Sequence, residues 1–530
     1  MKGLVVLVVI AALTFASLPA RVEGNGWTCF YCTIITNTLF EYTLTHGNDM
    51  GQALEQVCYL FPQEYQRTCE DIVFVAGPII LNYYVAGSTP DEVCINGLRI
   101  CDKPECVLFP RNNASSSASA RVSREEGVRD QLLALFDKLA RTPRRSVRAD
   151  PVVDHLPLVD DDDDRFSTFA TLRGTSWRGK DCDDHDPNVY PGRKAAPSGK
   201  ESADYNCNGI NGVDPTSGRP WKDLLCANSQ QMGAVIFGDS AAAHFSIKPE
   251  WLEGQYINST TYSDLVVTGH VEDPFVDSLY LRLRKQNLCN HRDYQNVAVN
   301  GANSLKLKSI VPTVARNDSF DQPVLAVYAN IGNDICSQRP NLDHMTSVAD
   351  FTSNVISTLK YLDSGVLPAG SHLLLVGLVD GRFLWDTLHA RMNPIGRPYE
   401  DVYSWLACIG INPCWQWLNP NATIRNAAST RAAQLSDVLL QISKNSTFKH
   451  FDTAYTPFPL AQIAQQWEQR GGQAADLIEP IDGFHPSQIG HYLIAGDVWN
   501  GLLQSRPDWI PAPNPNNARI AQLFGAQGGY

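Results

Sequence analysis

The sequence predicts an α/β fold for its long C-terminal part, preceded by a small all-α unit and an acidic connector. Short β-branched strands alternate with helical stretches in residues 227–530, which indicates a largely parallel sheet. Amphipathic stretches bounded by cysteines fill residues 25–108, and aspartates are concentrated in residues 151–226. A chain of 530 residues is long enough for about three such units, at roughly 100–200 residues per domain.

The N-terminus has the layout of a secretory signal peptide over residues 1–24. Lys2 supplies a positive start, Leu4–Phe15 forms a short apolar run, and small residues near Ala16–Ala20 are suited to cleavage. A buried strand or a membrane anchor would also be apolar. This run, however, is too short to span a bilayer, which needs about 20 apolar residues.

Fourteen cysteines and five Asn-x-Ser/Thr sequons agree with passage through the secretory pathway. We therefore predict a secreted or vesicular protein that carries disulfides and N-linked glycans. The net charge of −13 argues against a nucleic-acid partner, since such partners require a basic surface. The predicted glycosylation sites are Asn113, Asn258, Asn317, Asn421 and Asn445.

Residues 25–108 hold half of the cysteines, separated by stretches that predict helices. Ile34–Leu44 and Gly51–Phe61 are amphipathic, and Asp71–Val85 is more apolar, with a predicted bend at Gly77-Pro78. Cys29-x-x-Cys32 could instead be a redox or zinc motif. A redox motif needs a preceding strand and zinc needs a second close ligand pair, and neither is evident. The cysteines of this unit are Cys29, Cys32, Cys58, Cys69, Cys94, Cys101 and Cys106.

Residues 109–150 differ from both neighbours and predict an exposed linker or pro-segment. Asn112–Ala120 consists of asparagine, serine and alanine, and Arg141–Arg148 carries four arginines. Basic residues in an exposed segment suit proteolytic processing, but a solvated spacer would have the same composition. The sequence leaves both interpretations open.

Three acidic clusters follow the linker and predict a calcium-binding connector over residues 151–226. Asp204-x-Asn206-x-Asn208-Gly209 begins like an EF-hand loop, which wraps a hard cation in side-chain oxygens and one backbone carbonyl. Clustered carboxylates repel one another unless a cation lies between them. The predicted ligands are Asp160, Asp162, Asp164, Phe166, Asp181, Asp183, Asp184, Asp186, Asn188, Asp204, Asn206, Asn208, Ile210 and Asp214.

Ca²⁺ suits this connector better than other cations. The number of oxygen ligands and an extracellular setting favour it over magnesium, and the lack of His/Cys ligand spacing disfavours zinc. We expect Cys182 and Cys207 to form a disulfide rather than ligate a metal. A solvated acidic run remains the alternative for Asp160–Asp164 taken alone.

The residues for nucleophilic catalysis lie at the two ends of the C-terminal part. Gly238-Asp239-Ser240 directly follows the predicted strand Gly233–Phe237, which places the serine at the carboxyl edge of a parallel sheet. Near the C-terminus, Asp482 and His485 have a spacing that brings a carboxylate and an imidazole together. The carboxylate can orient the ring, and the ring can take the serine proton.

Two further blocks also follow strands. Gly301, in Ala298-Val-Asn-Gly301-Ala-Asn303, can bring its backbone N–H close to a substrate. Asn330-Ile-Gly332-Asn333-Asp334 comes after the predicted strand Val324–Ala329. The remaining predicted elements are strands at Leu373–Leu378 and His450–Ala454 and helices at Phe351–Leu362 and Thr430–Ser443.

The order of these blocks resembles the GDSL (SGNH) hydrolase superfamily, whose fold is flavodoxin-like. Ser240, Gly301, Asn333 and His485 match its four name-giving residues. The family commonly has Gly-x-Asn-Asp in the third block, whereas Gly332 here directly precedes its asparagine, which leaves the position of the glycine in doubt.

The resemblance implies a role for each matching residue. Ser240 attacks the acyl carbonyl, His485 acts as general base and then acid, and Asp482 orients the ring. The amides of Ser240 and Gly301 and the side chain of Asn333 form the oxyanion hole.

The N-terminal cysteine pattern resembles the saposin B-type domain, which binds lipids between amphipathic helices. The opening Cys29-x-x-Cys32, a central pair and a closing pair carry the resemblance. It implies the pairs Cys29–Cys101, Cys32–Cys94 and Cys58–Cys69, and it leaves Cys106 for a bond to the rest of the chain.

The three parts together resemble the acyloxyacyl hydrolase family. Local stretches carry the match: Ile236–Phe245, Arg178–Asp184, Asn206–Gly209 and Leu477–Pro486. The resemblance implies a secreted, calcium-dependent esterase that removes secondary fatty acyl chains from the lipid A of bacterial lipopolysaccharide at a membrane or micelle surface. It also implies a small and a large subunit, produced by processing and joined by a disulfide from Cys106.

Two points stay open in the sequence. We expect Cys408 as the partner of Cys106 and a Cys289–Cys336 pair, while the pairing of Cys226 and Cys414 is undetermined. A broader phospholipase or acyltransferase would carry the same catalytic residues, and a lipid carrier that lacks activity would have the same fold.

Overall fold

The protein is described by a computed structural model that covers residues 26–46, 50, 54, 63–111, 132, 156, 157, 159–168, 177–245 and 277–529. The predicted signal peptide, most of the linker and the predicted helix Gly51–Phe61, apart from Leu54, lie outside these residues. Within the described part, no helix has both the length and the apolar character needed to cross a bilayer.

A six-stranded sheet with the order β1-β3-β2-β4-β5-β8 forms the centre of the C-terminal part. All neighbouring strands are parallel except the edge strand β1, which is antiparallel to β3. A two-stranded antiparallel ribbon, β6–β7, lies apart from this sheet. The strands are β1 (Trp177–Arg178), β2 (Gly233–Gly238), β3 (Tyr294–Asn296), β4 (Val324–Ala329), β5 (Ser371–Val376), β6 (Met392–Asn393), β7 (Arg397–Pro398) and β8 (Phe451–Thr456).

Helices cover both faces of the sheet, and among the described residues of the N-terminal unit there are two helices of more than 20 residues. Short helical turns occur at Pro90–Glu92, Val93–Gly97, Leu288–Asn290, Val311–Thr313, Leu362–Val366, Ala474–Leu477 and Pro507–Trp509. The helices are α1 (Gly26–His46), α2 (Gln63–Val85), α3 (Trp221–Leu225), α4 (Leu279–Gln286), α5 (Ser304–Ile310), α6 (Val348–Tyr361), α7 (Arg382–Leu388), α8 (Tyr399–Ile409), α9 (Ala422–Asn445), α10 (Leu460–Glu468), α11 (Gln488–Ser505) and α12 (Asn517–Phe524).

The central strands are buried on both faces, as their near-continuous apolar sequences predict. Alternate residues of β2 and β4 face opposite sides: Val235 and Tyr328 pack against α5, α6 and α9, whereas Ala234 and Leu325 pack against α4 and α11. The α/β prediction is therefore confirmed. The four predicted strands are present, and the predicted helix at Thr430–Ser443 belongs to the longer α9.

The N-terminal unit is helical and disulfide-bonded, consistent with a saposin-like domain. The structure pairs Cys29 with Cys101 and Cys32 with Cys94, as the resemblance implied. The Cys58–Cys69 pair lies outside the described side chains. Gly77 and Pro78 lie within α2, which continues as one helix past them, and the bend expected at these residues stays a prediction.

Helix α8 of the C-terminal part shares a core with the N-terminal unit. Trp405 is 3% exposed, and its ring centroid lies 5.9 Å from that of Phe30 on α1. Its indole N–H donates to the carbonyl of Cys106 at 3.3 Å, and Cys106 is bonded to Cys408, the expected partner. Burying aromatic rings of this size removes 150–250 Å² each from water, so the two units stabilise one another.

Two disulfides differ from the expectation. The Cys289–Cys336 pair is wrong, because Cys289 bonds Cys226 and Cys336 bonds Cys414. Chain spacing does not reveal which segments meet in the folded chain, and a disulfide requires its two Cα atoms to lie within about 7 Å. The expected Cys182–Cys207 bond is present.

Three of the predicted glycosylation sites can be located. Asn317, Asn421 and Asn445 are all exposed, so a glycan would meet no packing obstacle at these positions. Asn113 and Asn258 lie outside the described residues.

Candidate active site

Ser240 follows β2 at the carboxyl edge of the sheet, on a turn that requires glycine before it. A Cβ at Gly238 would collide with the carbonyl oxygen of Ala329 on the neighbouring strand β4. Only glycine therefore lets β2 run close to β4 up to this point. Ser240 is 9% exposed, so its hydroxyl is accessible from one side only.

The structure brings Ser240, His485 and Asp482 into one hydrogen-bonded row. His485 Nε2 lies 2.8 Å from Ser240 Oγ, and His485 Nδ1 lies 2.6 Å from Asp482 Oδ2. Ser240 and His485 are 245 positions apart in sequence, and only the fold brings them together. The two ring nitrogens thus face a hydroxyl and a carboxylate, the arrangement in which a histidine can remove a serine proton.

The segment that carries Asp482 and His485 is held in shape by its own hydrogen bonds. Asp482 Oδ1 accepts the backbone amides of Phe484 at 2.8 Å and His485 at 3.1 Å. The buried Glu479 accepts the amide of Asp482 at 2.8 Å. The Tyr403 hydroxyl on α8 donates to the carbonyl of Gly483 at 2.6 Å, and burial raises the pKa of this phenol.

The two predicted oxyanion segments lie at the same edge of the sheet as Ser240. Gly301 lies in the turn after β3 with φ +73°, a backbone conformation that favours glycine. Asn333 follows β4 and lines a cleft together with Ser240 and His485. The altered glycine spacing in this block does not prevent Asn333 from reaching the cleft.

The cleft beside Ser240 is lined mainly by apolar side chains. Trp417 is 1% exposed, and its indole N–H donates to Ser429 at 3.2 Å, which fixes the ring. Ile331 and the residues between Leu477 and Pro486 lie in blocks that the sequence analysis named, whereas Val379, Leu384, Trp417, Phe458 and Leu460 come from other loops and helices and carry no local pattern. The apolar lining consists of Ile331, Val379, Leu384, Trp417, Phe458, Leu460, Leu477, Ile478, Phe484 and Pro486.

Aromatic rings also contact the His485 imidazole. Phe245 lies with its ring centroid 4.5 Å away, and Phe484 contacts the imidazole edge-on at 4.9 Å. Phe484 directly precedes His485, and Phe245 ends the stretch Ile236–Phe245 that carries part of the family resemblance. The two rings limit how far the imidazole can turn from its partners.

The acidic connector brings several predicted ligands together. Carboxylate oxygens of Asp160, Asp162 and Asp184 lie within 4.8 Å of one another, as do those of Asp162, Asp164 and Asp181. The two groups share Asp162. They would hold Ca²⁺ through carboxylate oxygens, which are the ligands that a hard cation prefers.

The unsatisfied oxygens of this cluster fit a cation. One carboxylate oxygen each of Asp160, Asp162, Asp164 and Asp181 is buried without a hydrogen-bond partner. Burial, reinforced by neighbouring carboxylates, raises the pKa of Asp164 to about 8 and that of Asp181 to about 6. Two like charges about 4 Å apart repel by about 4 kcal/mol at an effective dielectric constant of 20, so a cation would relieve a substantial cost.

Other predicted ligands have different partners. Asp204 of the EF-hand-like loop forms an ion pair with Lys222. The buried ammonium of Lys222 occupies the position at this carboxylate that a metal cation would take. Burial lowers the pKa of Lys222 to about 8. Asp186 pairs with Lys200, and the half-buried Asp214 accepts Ser217 Oγ at 2.7 Å. Asp183 belongs to neither carboxylate group. The roles of the predicted ligands that carry no carboxylate stay predictions: Phe166, Asn188, Asn206, Asn208 and Ile210.

The fold and the site together define a serine ester hydrolase of the GDSL class. The family model described as GDSL-like Lipase/Acylhydrolase matches residues 235–498, from the strand before the serine to the helix after the histidine. It thus spans all four predicted blocks.

Curated relatives match nearly the whole chain. The acyloxyacyl hydrolase of Homo sapiens is 36% identical over 546 residues, covering 96% of this chain and 94% of that protein. Those of Oryctolagus cuniculus and Mus musculus are each 35% identical and cover 97% and 99% of this chain, and 95% and 98% of their own lengths. The chain belongs to the acyloxyacyl hydrolase family and is an ester hydrolase of lipid acyl groups.

Proposed function

We propose that this protein is a secreted, calcium-binding serine esterase that removes secondary fatty acyl chains from the lipid A of bacterial lipopolysaccharide. The hydrogen-bonded row of Ser240, His485 and Asp482 is the observation that carries the chemical part of the proposal. The substrate part is supported by family membership and by the apolar cleft beside the serine.

In the proposed mechanism, His485 removes the Ser240 proton while Ser240 Oγ adds to the acyl carbonyl carbon. The tetrahedral oxyanion is stabilised by the amides of Ser240 and Gly301 and by the side chain of Asn333. His485 then returns the proton to the departing hydroxyl oxygen, which leaves an acyl-enzyme. Water, deprotonated by His485, releases the fatty acid and restores Ser240.

The apolar cleft would hold the acyl chain that is cut. A chain of about a dozen carbons gains roughly 10 kcal/mol on leaving water, at about 0.8 kcal/mol per methylene. Lifting such a chain from a micelle or membrane therefore requires an apolar acceptor. We propose that the saposin-like unit shelters neighbouring chains of the same lipid, because it shares a core with α8, which also contacts the catalytic segment.

We further propose that the chain is cut within residues 109–150 into a small and a large subunit. Cys106 precedes this segment and its partner Cys408 follows it, so the Cys106–Cys408 bond would keep the subunits together. The disulfide density of the described residues is typical of proteins of the secretory pathway.

Substrate preference separates this proposal from its rivals. Purified protein is incubated with lipopolysaccharide, phosphatidylcholine vesicles and triacylglycerol micelles, and the released fatty acids are quantified by mass spectrometry. We expect lipopolysaccharide to lose its secondary acyl chains while the primary hydroxyacyl chains remain. Release from phospholipid but not from lipopolysaccharide would indicate a phospholipase instead, and release from no ester would indicate a lipid carrier.

Calcium removal is expected to destabilise the protein. A ligand present at about 100 times its Kd contributes roughly 2.7 kcal/mol, so chelation should lower Tm by about 2–5 °C for a unit of this size, and added Ca²⁺ should restore it. Calorimetry with and without EDTA measures this shift.

Two variants give the chelation experiment its controls. Asp162→Asn alters the carboxylate shared by both groups and should abolish the response to EDTA. Asp163→Asn changes the exposed neighbour, whose φ of +63° asparagine tolerates, and should respond like the parent protein. An unchanged Tm of the parent protein after chelation would count against the calcium site.

A further inference from the structure

Asp239, the residue before the nucleophile, joins two of the segments that form the active site. Its side chain is 2% exposed. One carboxylate oxygen accepts the amide of Ala241 at 3.1 Å, just after the nucleophile, and the other accepts the amide of Gly332 at 2.9 Å, just before Asn333. The carboxylate of Asp239 thus connects the serine turn to the Asn333 segment through two hydrogen bonds.

Asp334, the residue after Asn333, makes the second such connection. It is 1% exposed. One oxygen accepts the Ser304 hydroxyl at 2.7 Å, and the other accepts the Ser304 amide at 3.0 Å and the side-chain amide of Asn330 at 2.7 Å. Ser304 begins α5, three residues after Gly301, so this carboxylate fixes the Asn333 segment against the Gly301 turn.

Burying a carboxylate costs free energy, and the hydrogen bonds that Asp239 and Asp334 accept offset this cost. Burial raises the pKa of Asp239, and backbone amides, including those of Gly332, Ala241 and Asn333, oppose the rise. Burial likewise raises the pKa of Asp334, opposed by its bonds from Ser304. A hydrogen bond from a backbone N–H to a charged carboxylate is about twice as strong as one between neutral groups. A carboxylate is therefore well suited to hold two separate loops together.

We propose that Asp239 and Asp334 are positioning residues that hold the serine turn, the Gly301 turn and the Asn333 segment in register, so that the oxyanion donors converge before substrate binds. Neither carboxylate touches the reacting atoms in this proposal. The arrangement matters because oxyanion donors act only when they are already aimed at the developing charge, and loss of one costs about 100–1000-fold in rate.

The test uses Asp239→Asn and Asp334→Asn in the full chain. In Asp239→Asn the NH₂ group faces a backbone amide donor, so one connecting bond is lost. In Asp334→Asn the NH₂ group can face the Ser304 hydroxyl, which can accept as well as donate, so this variant removes the charge and weakens the connection. Hydrolysis of the soluble ester p-nitrophenyl butyrate is measured, with competent enzyme counted by titration of the active serine. We expect kcat to fall at least about tenfold per variant while KM stays within about twofold.

The affinity for a trifluoromethyl ketone distinguishes a positioning role from a purely structural one, because a purely structural role would leave this affinity unchanged. It forms a charged tetrahedral adduct with the serine, so its affinity should fall in proportion to kcat/KM across the variants. Ser304→Ala is the milder variant. It removes one donor to Asp334, leaves the charge in place and should lower kcat about threefold to tenfold.

Asp91→Asn is the matched control. Asp91 is also 2% exposed and also accepts two backbone amides, from Leu108 at 3.2 Å and Phe109 at 2.6 Å, but it lies in the N-terminal unit. Asp91→Asn should lower Tm by as much as the test variants and leave kcat per titrated serine unchanged. An equal loss of kcat in Asp91→Asn, or unchanged ketone affinity in Asp239→Asn and Asp334→Asn, would overturn the inference.

The inference rests on the proposed oxyanion hole, and Asn333→Ala separates the two. If Asn333→Ala lowers kcat by about 100-fold or more while the aspartate variants do not, only the positioning role fails. If Asn333→Ala has no effect, the proposed oxyanion hole itself is wrong. Should Asp334→Asn fail to fold, Ser304→Ala carries its part of the test, and full activity of Ser304→Ala would contradict the role of Asp334.

Discussion

Replacement of Ser240 by alanine is expected to lower kcat for ester hydrolysis by about 10⁴-fold or more, because the nucleophile of the acyl-enzyme is lost. The change removes one oxygen, whose hydrogen bond to His485 is the contact described for it. The fold should therefore persist, with Tm within a few degrees of the parent value. Fatty acid release from lipopolysaccharide and hydrolysis of a soluble ester should both disappear.

Ser505→Ala serves as the control for this variant. Ser505 ends α11, is exposed and donates to the Gly501 carbonyl at 2.7 Å, so its replacement should leave kcat unchanged. Ser240→Ala protein that retained a tenth of the parent activity would show that another group attacks the ester.

Replacement of Asp482 by asparagine is expected to lower kcat by about 10³–10⁴-fold. Asp482 Oδ2 accepts from His485 Nδ1, which leaves Nε2 without a proton and ready to accept one from Ser240. An asparagine NH₂ at that position favours the opposite tautomer, in which Nε2 carries the proton and cannot act as base. The shape of the side chain is conserved, so the loss should appear in kcat rather than in Tm.

Asp476→Asn is a suitable control, since it lies six residues earlier in the same segment. Its carboxylate accepts from the Trp467 indole at 2.9 Å and from the Gln473 amide at 2.7 Å, not from His485. We expect a modest loss of stability and a kcat within about threefold of the parent value. Equal kcat values for Asp482→Asn and the parent protein would exclude a role for the carboxylate in orienting His485.

The sequence was sufficient to predict the elements that carry the site. Gly238-Asp239-Ser240 and Asp482-x-x-His485 are local patterns, and each follows from chemistry that needs close spacing. The strands β2 and β4 were equally predictable, because strands buried on both faces of a parallel sheet have near-continuous apolar sequences.

What the sequence could not supply depends on long-range approach. The bonds Cys226–Cys289 and Cys336–Cys414 join segments whose proximity only the folded chain defines. The antiparallel edge strand β1 has only two residues, too few for a period to be recognised. The apolar cleft is likewise assembled from side chains of separate loops and helices.

The acidic connector shows a related limit. Composition alone treats every aspartate as a candidate ligand, but the fold distributes them differently. Asp160, Asp162 and Asp164 gather into groups with buried unsatisfied oxygens, whereas Asp204 receives the ammonium of Lys222. Because Lys222 lies 18 residues from Asp204, no local sequence pattern reveals this ion pair.

Covalent labelling of Ser240 tests the proposed chemistry most directly. The protein is treated with a fluorophosphonate, digested and analysed by mass spectrometry, beside Ser240→Ala and Asp482→Asn. We predict one adduct on the peptide that contains Ser240, slower labelling of Asp482→Asn and none of Ser240→Ala, with esterase activity lost in step with labelling. An adduct on another residue, or full esterase activity with Ser240 completely labelled, would contradict Ser240 as the nucleophile.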